Sequence, residues 1–245
     1  MKRLLLFLLF VQAAFGAVAH VADCGNAGGS SSTSITCTVT GTTTAGSIVV
    51  GQVGWFASTP PTLNSVTTNG TGDTITLYNN PTADSGFASA ALFSVVVGTS
   101  TASYALTANF SATCSPSIVA IVATGGNTTL VIDGTQSINA GFKSSGTDAA
   151  TASSLTTTKD GDLIASFIMD SGGGGATMTV GTGFTADTNQ ATTNFHESGE
   201  FETQSTHGAI TATWTVASGG HFSIGVIAIP PAPSGPPPGQ FPRVL

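Results

Sequence analysis

The densest collection of groups that could do chemistry is the run His196-Glu197-Ser198-Gly199-Glu200-Phe201-Glu202-Thr203-Gln204, with His207 close behind. On an extended strand Glu200, Glu202 and Gln204 point to one face. Neighbouring carboxyls there stand about 6 to 7 Å apart, near the spacing of a glycosidase acid and nucleophile. Gln204 holds the third position and does not titrate, so the pattern fits a solvated strand face better than a catalytic pair. A second group is Asp160-Gly161-Asp162, with Asp73 in another turn. Loop carboxylates of this kind can hold a structural calcium, and Asp-Gly is equally the chemistry of a plain turn. No zinc-type Cys/His spacing, phosphate loop, nucleophile elbow or His-Glu-x-x-His motif occurs.

Flat apolar rings can stack on sugars, and Trp55, Phe56, Tyr78, Phe195 and Phe222 are the candidates for that role. Trp55 shares a strand face with Val49, Gly51 and Val53, which directs it inward, yet it stands at a strand end just before Pro60-Pro61. Trp214 alternates with Ile210, Ala212 and Val216 and belongs to a core, with Phe110 as its counterpart earlier in the chain.

The elements that must position these groups are strands throughout. Residues 209–229 read as a half-buried strand, a Gly-Gly turn and a strand covered on both faces, and 105–123 repeat the same order with a turn at Ser115-Pro116. Each pair is preceded by a Thr-Thr-Thr signal and an apolar strand, at 42–56 and again at 156–169. Further strands are predicted over 34–40, 63–68, 74–78, 87–97, 177–180 and 195–204, separated by Asn, Gly and Pro turn signals. Residues 133–151 read as loop-rich, and no segment has helical periodicity. The expectation is an all-β chain, one antiparallel two-sheet β-sandwich, jelly-roll-like and built from two similar halves.

Lys2 and Arg3, the apolar run 4–11 and the small residues to Ala19 form the layout of a secretory signal, too short to span a bilayer. The domains are then a signal over 1–19, a β-sandwich over 20–229 and a Pro-rich tail over 230–245. Ala14-Phe15-Gly16 offers a second cleavage site, giving a start at Ala17 instead of His20. Without Lys2 and Arg3 the chain has three basic residues against twelve carboxylates, a net charge near −9, which excludes nucleic acid as a partner. Three cysteines in an oxidising compartment give one disulfide and one thiol. Cys24 with Cys37 is the favoured pair because it closes a short Gly/Ser loop at a terminus with little core of its own, and the other pairings stay open. Three glycosylation sequons begin at Asn69, Asn109 and Asn127.

The run Thr-Thr-Thr-x-x-Gly-Asp-Leu leading into an apolar strand, the strand Ala-Ile-Thr-Ala-Thr-Trp and the closing Ser-Ile-Gly-Val-Ile-Ala-Ile resemble secreted bacterial β-sandwich modules of the jelly-roll, concanavalin-like and carbohydrate-binding type. The resemblance covers most of 34–230 and rests on strand order, so it speaks to fold more than to function. It implies a secreted or cell-surface, non-enzymatic module that binds an extracellular polysaccharide or surface glycan. Its ligand-contacting residues would come from Trp55, Phe56, Tyr78, Phe195, Glu200 and Glu202, with Asp160 and Asp162 for calcium. Self-assembly through sheet edges poor in lysine is the alternative. A polysaccharide-active enzyme is the third: the Glu-rich strand resembles that of concanavalin-like glucanases. A mature N-terminal His20 would offer the amine and imidazole that bind copper in lytic polysaccharide monooxygenases.

Overall fold

The computed structural model describes residues 17–28, 31–84, 88–143, 148–151, 155–171, 178–192, 195–217 and 220–233. Residues 1–16 of the expected signal over 1–19, and residues 234–245 of the expected tail over 230–245, lie outside the described residues. The first part of the chain forms β1 (Ala19–Ala27), β2 (Ser32–Thr38), β3 (Thr42–Thr43), β4 (Ile48–Phe56), β5 (Leu63–Thr68), β6 (Thr74–Asp84), β7 (Ala88–Val96), β8 (Thr101–Ala102) and β9 (Ala105–Thr124). The second forms β10 (Ser137–Lys143), β11 (Asp148–Thr151), β12 (Leu155–Thr156), β13 (Asp162–Asp170) and β14 (Met178–Thr179). It continues through β15 (Thr185–Thr192), β16 (Phe195–Gln204), β17 (Ala209–Ile210), β18 (Thr213–Val216) and β19 (Gly220–Ile229). The described residues contain no helix, and their strand pairings are antiparallel.

Burial explains the arrangement. β4, β7 and β13 are buried along almost their whole length on both faces, as is the second half of β9. A strand with no polar face has to be covered twice, so these strands lie inside two large sheets that stack on one another. One runs β1-β9-β4-β7-β6 and the other β10-β19-β13-β16-β15. Ile48, Val50, Leu92, Val119 and Ile121 from the first meet Leu163, Ala165, Phe167, Ile227 and Ile229 from the second. The outer face of each large sheet is capped by short strands. β2 and β5 flank the first half of β9 and close a core around Val49, Trp55, Phe93, Leu106 and Phe110. β11, β18 and β14 close another around Ile164, Ile224, Val226 and Trp214.

The chain thus builds two large antiparallel sheets stacked as in a β-sandwich, with further short sheets added to them. β9 differs from expectation. The sequence reading places a turn at Ser115-Pro116, but Ala105–Thr124 is one continuous strand that pairs with β2 and β5 first and with β1 and β4 afterwards. Its burial alternates in the first half and becomes continuous from Ser117 on, as each environment requires. Pro116 lacks an amide hydrogen and sits where the strand passes between sheets, while its carbonyl still accepts from Gly28 N at 2.8 Å.

Where the large sheets touch, side chains give way to glycine. A Cβ at Gly54 would come within 2.1 Å of Met169 Sδ, and one at Gly225 within 2.6 Å of Gln52 Oε1 and 2.7 Å of Leu92 Cδ2.

The Cys24–Cys37 disulfide is present and joins β1 to β2, tying a large-sheet edge to its cap. Cys114 is a buried thiol whose surroundings push its pKa up to about 11 through desolvation. Replacing Cys24 and Cys37 by serine is expected to cost about 3 kcal/mol for this loop length, measured as a lower denaturant midpoint with little change in slope. The native protein should also leave Cys114 unreactive toward an exposed-thiol reagent at neutral pH until it is unfolded.

Candidate functional site

The Glu-rich strand is interior. β16 lies between β13 and β15, and its register sets Glu200 against Ser166 and Glu202 against Ile164. Glu200 is fully buried, and its Oε2 accepts from Gly181 N at 2.7 Å. Ser166 meanwhile takes a hydrogen bond at 3.0 Å from the indole Nε1 of Trp214. Burial pushes the Glu200 carboxyl up to about 7, and it also raises the half-buried Glu202. On the opposite strand face Glu197 is fully buried toward Ser117 and is raised well above the usual range, again by burial. The expectation of a solvated strand face is corrected accordingly, and Glu200, closed off from solvent, has no surface to offer a sugar.

The aromatic candidates divide. Trp55 is fully buried, and its Nε1 donates to Pro61 O at 2.9 Å while its ring meets Phe110 at 5.4 Å. It packs the first core and cannot stack on a ligand, which corrects the reading of it as a binding ring. Tyr78 is half-buried, its hydroxyl 2.6 Å from Ser94 Oγ and its ring against the interface between the large sheets. Phe56 is half-buried at the end of β4, 6.0 Å from the ring of His221. Phe195 opens β16, and its side chain lies outside the described residues.

Among the described residues, the exposed ring is one that the sequence reading missed. Phe142 on β10 is 60% exposed and lies 4.8 Å from the ring of His221, its register partner on β19. It belongs to the stretch read as loop-rich, where no alternation was assigned. The alternation Ile138, Ala140, Phe142 would have been the signal. Phe142, His221 and Phe56 together form an aromatic ledge at one end of the stacked sheets.

At the other end a cleft of about 500 Å³ is lined by Asn127, Thr158, Lys159, Asp160, His207 and three prolines, among others. Asp160 is on its surface. Its Oδ1 accepts from His207 N at 2.8 Å and lies 2.7 Å from Nδ1 of the same ring. These contacts, led by the backbone hydrogen bond, hold its carboxyl below the ordinary value. Asp162 is fully buried and turns instead to Asp133. Burial, then the neighbouring Asp133, pushes Asp162 up to about 8. Burial also acts upward on Asp133, but hydrogen bonds from the Thr158 hydroxyl, Thr158 N and Lys159 N, together with Asp162, outweigh it and hold that carboxyl low. The two aspartates that the sequence pairs for calcium therefore serve different partners. Asp73 is likewise occupied, accepting from Tyr104 OH at 2.6 Å and Gly98 N at 2.8 Å, both from segments distant in sequence.

A third grouping lies at the side, where β1 of one large sheet meets β15 and β16 of the other. His20 Nε2 stands 3.2 Å from Asp187 Oδ1, and ligand atoms of His20, Asp23 and Asp187 all fall within 4.8 Å of one another. The His20 ring stacks on Phe201 at 4.3 Å. Asp187 lies more than 160 positions from His20 and Asp23, so only the sheet stacking brings it to them. Comparison with known proteins finds no matching family model, curated protein or solved structure.

The buried acids set a pH dependence. Asp162 and Glu200 keep their protons in the folded chain up to about 8 and about 7. The unfolded chain gives them up near pH 4, so the folded state binds more protons in between. The stability they contribute is full below about pH 4 and is lost as pH rises through 7 and 8. Thermal melts should show a falling midpoint from about pH 5 to about pH 8.5, and Asp162→Asn should flatten that slope. A midpoint rising across the same window in the unmodified protein would contradict the protonated carboxyls.

Proposed function

We propose that the chain is a secreted, non-enzymatic module that binds glycan on the ledge of Phe142, His221 and Phe56. The observation that carries this reading is Phe142 itself, a ring 60% exposed beside an imidazole at 4.8 Å. A pyranose presents C–H groups on one face, which pack on an aromatic face, and polar groups around its rim. His221 supplies the neighbouring polar edge, and its backbone is held by Ser171, whose Oγ donates to His221 O at 3.2 Å.

The strand order supports a finer reading of the fold, two jelly-roll units in tandem. In the first unit the large sheet takes the first, last and middle strands, β1-β9-β4-β7, while the cap takes β2, the start of β9 and β5. The second unit pairs β10-β19-β13-β16 and β11-β18-β14 in the same order, with β3-β8 answered by β12-β17. In each unit a further strand, β6 or β15, extends the large sheet.

Self-association is the second reading, favoured because β10 ends its sheet and carries the same exposed ring. One pair of measurements separates the two. Glycan binding should appear at millimolar sugar or below and weaken about tenfold in Phe142→Ala, with the protein monomeric by light scattering. No binding across a broad array, with an oligomer that Phe142→Ala dissociates, would replace the first reading with the second.

Secretion also makes a claim about processing. Val18 is 3% exposed and packs between the large sheets with Ile48, and Ala17 O lies against Gly125. A cut after Ala19 would remove Val18 from that core, whereas a cut after Gly16 would spare it. The mature mass is therefore expected to begin at Ala17. His20 then has an amide and no free amine, which leaves no copper brace, and a measured start at His20 would refute this assignment.

A further inference from the structure

We propose that His20, Asp23 and Asp187 form a binding site for one divalent cation of the zinc type, which pins β1 of the first large sheet to β15 of the second. Three facts carry the inference. The ligand atoms lie within 4.8 Å of one another, close enough for one ion to reach all three with small side-chain adjustments. The Asp187 side chain is only 1% exposed, and its Oδ2 is buried without a hydrogen-bond partner among the described residues. His20 Nε2 is also without a hydrogen bond of good geometry, although it stands 3.2 Å from Asp187 Oδ1.

A buried carboxylate is costly unless something positive reaches it, and among the described residues the cationic partner of Asp187 is His20, which reaches Oδ1 and leaves Oδ2 without a partner. Asp23 adds a second carboxyl to the same place, which makes the need for positive charge greater. One divalent cation balances both carboxylates, and the neutral imidazole completes a nitrogen and oxygen donor set. That set suits zinc or manganese better than calcium, which prefers oxygen alone. The stacked Phe201 ring, 4.3 Å away, holds the imidazole plane so that Nε2 stays directed at the carboxylates. The three residues leave a coordination position for water. The site is separate from Asp160 and Asp162 and from the aromatic ledge, and it does not depend on glycan binding.

The test uses the purified chain freed of metal with a chelator and titrated with zinc chloride near neutral pH. The expected result is one equivalent bound in calorimetry and a melting temperature that rises with zinc until one equivalent is present. Asp187→Asn should weaken binding at least tenfold and abolish the rise, while Asp160→Asn, altering the other His–Asp contact, should leave both unchanged. If Asp187→Asn does not fold, Asp23→Asn on the more exposed carboxyl serves in its place with the same expectation. Cobalt in place of zinc should give the visible absorption of a nitrogen and oxygen donor set, and His20→Ala should alter it. The proposal is overturned if the unmodified protein binds no zinc and melts at an unchanged temperature. It is equally overturned if zinc binds Asp187→Asn as tightly, or if calcium binds here in preference.

Discussion

The structure depends on the contact between two large sheets whose central strands are apolar on both faces. Such strands cannot stand at a solvent surface, and one partner sheet covers only one side of them. The second cover comes from short strands drawn from the same chain. β9 supplies it by running first through the cap and then into the large sheet, and β18 supplies it as a separate strand that precedes β19. The stacking is close enough that Gly54 and Gly225 are needed where Met169, Gln52 and Leu92 cross it. At that distance a single added methyl has no room to relax, because each sheet is already fixed from its far side.

The same enclosure decides the electrostatics. With 7% charged residues the chain has few carboxylates to place, and several of them, including Asp162, Asp170, Glu197 and Glu200, are buried. Burial raises Asp162, Glu197 and Glu200, so the interior favours their neutral acids, which can also donate hydrogen bonds. Asp133 and Asp73 behave oppositely because each collects several donors from loops and strands distant in sequence, and those hydrogen bonds outweigh the desolvation. Acidic residues in this protein are thus largely elements of its architecture, holding turns or spanning strands.

Strand alternation made most of the first half and the last two strands legible, since period two and doubly apolar runs are local properties. The Cys24–Cys37 bridge could be read because it closes a short loop. What escaped was set by distance in the chain. The run 117–123 already demanded cover on both sides, which a two-sheet sandwich cannot give. Nothing local to it said that the cover on one side would come from β13 and β19, which begin at Asp162 and Gly220. Glu200 looked solvated because a strand of alternating acids ordinarily is, and only its place between β13 and β15 removes it from water. Phe142 was missed because a loop-like composition hid a seven-residue edge strand. His20, Asp23 and Asp187 have no common motif at all.

Once both faces of each large sheet are occupied by the protein itself, the places left for ligands are the ends and the sides of the stack. The faces that many sandwich proteins use for binding are covered here by β2 and β5, and by β11, β14 and β18. The aromatic ledge stands at one end, the Lys159 and His207 cleft at the other, and the His20 cluster along one side. All three draw on residues far apart in sequence. The cluster joins the two stacked sheets directly, and the ledge does so through Phe56 of β4 and His221 of β19. A change in how the sheets sit on each other would therefore move the elements of both sites, whereas the core of either capped unit would be left as it is.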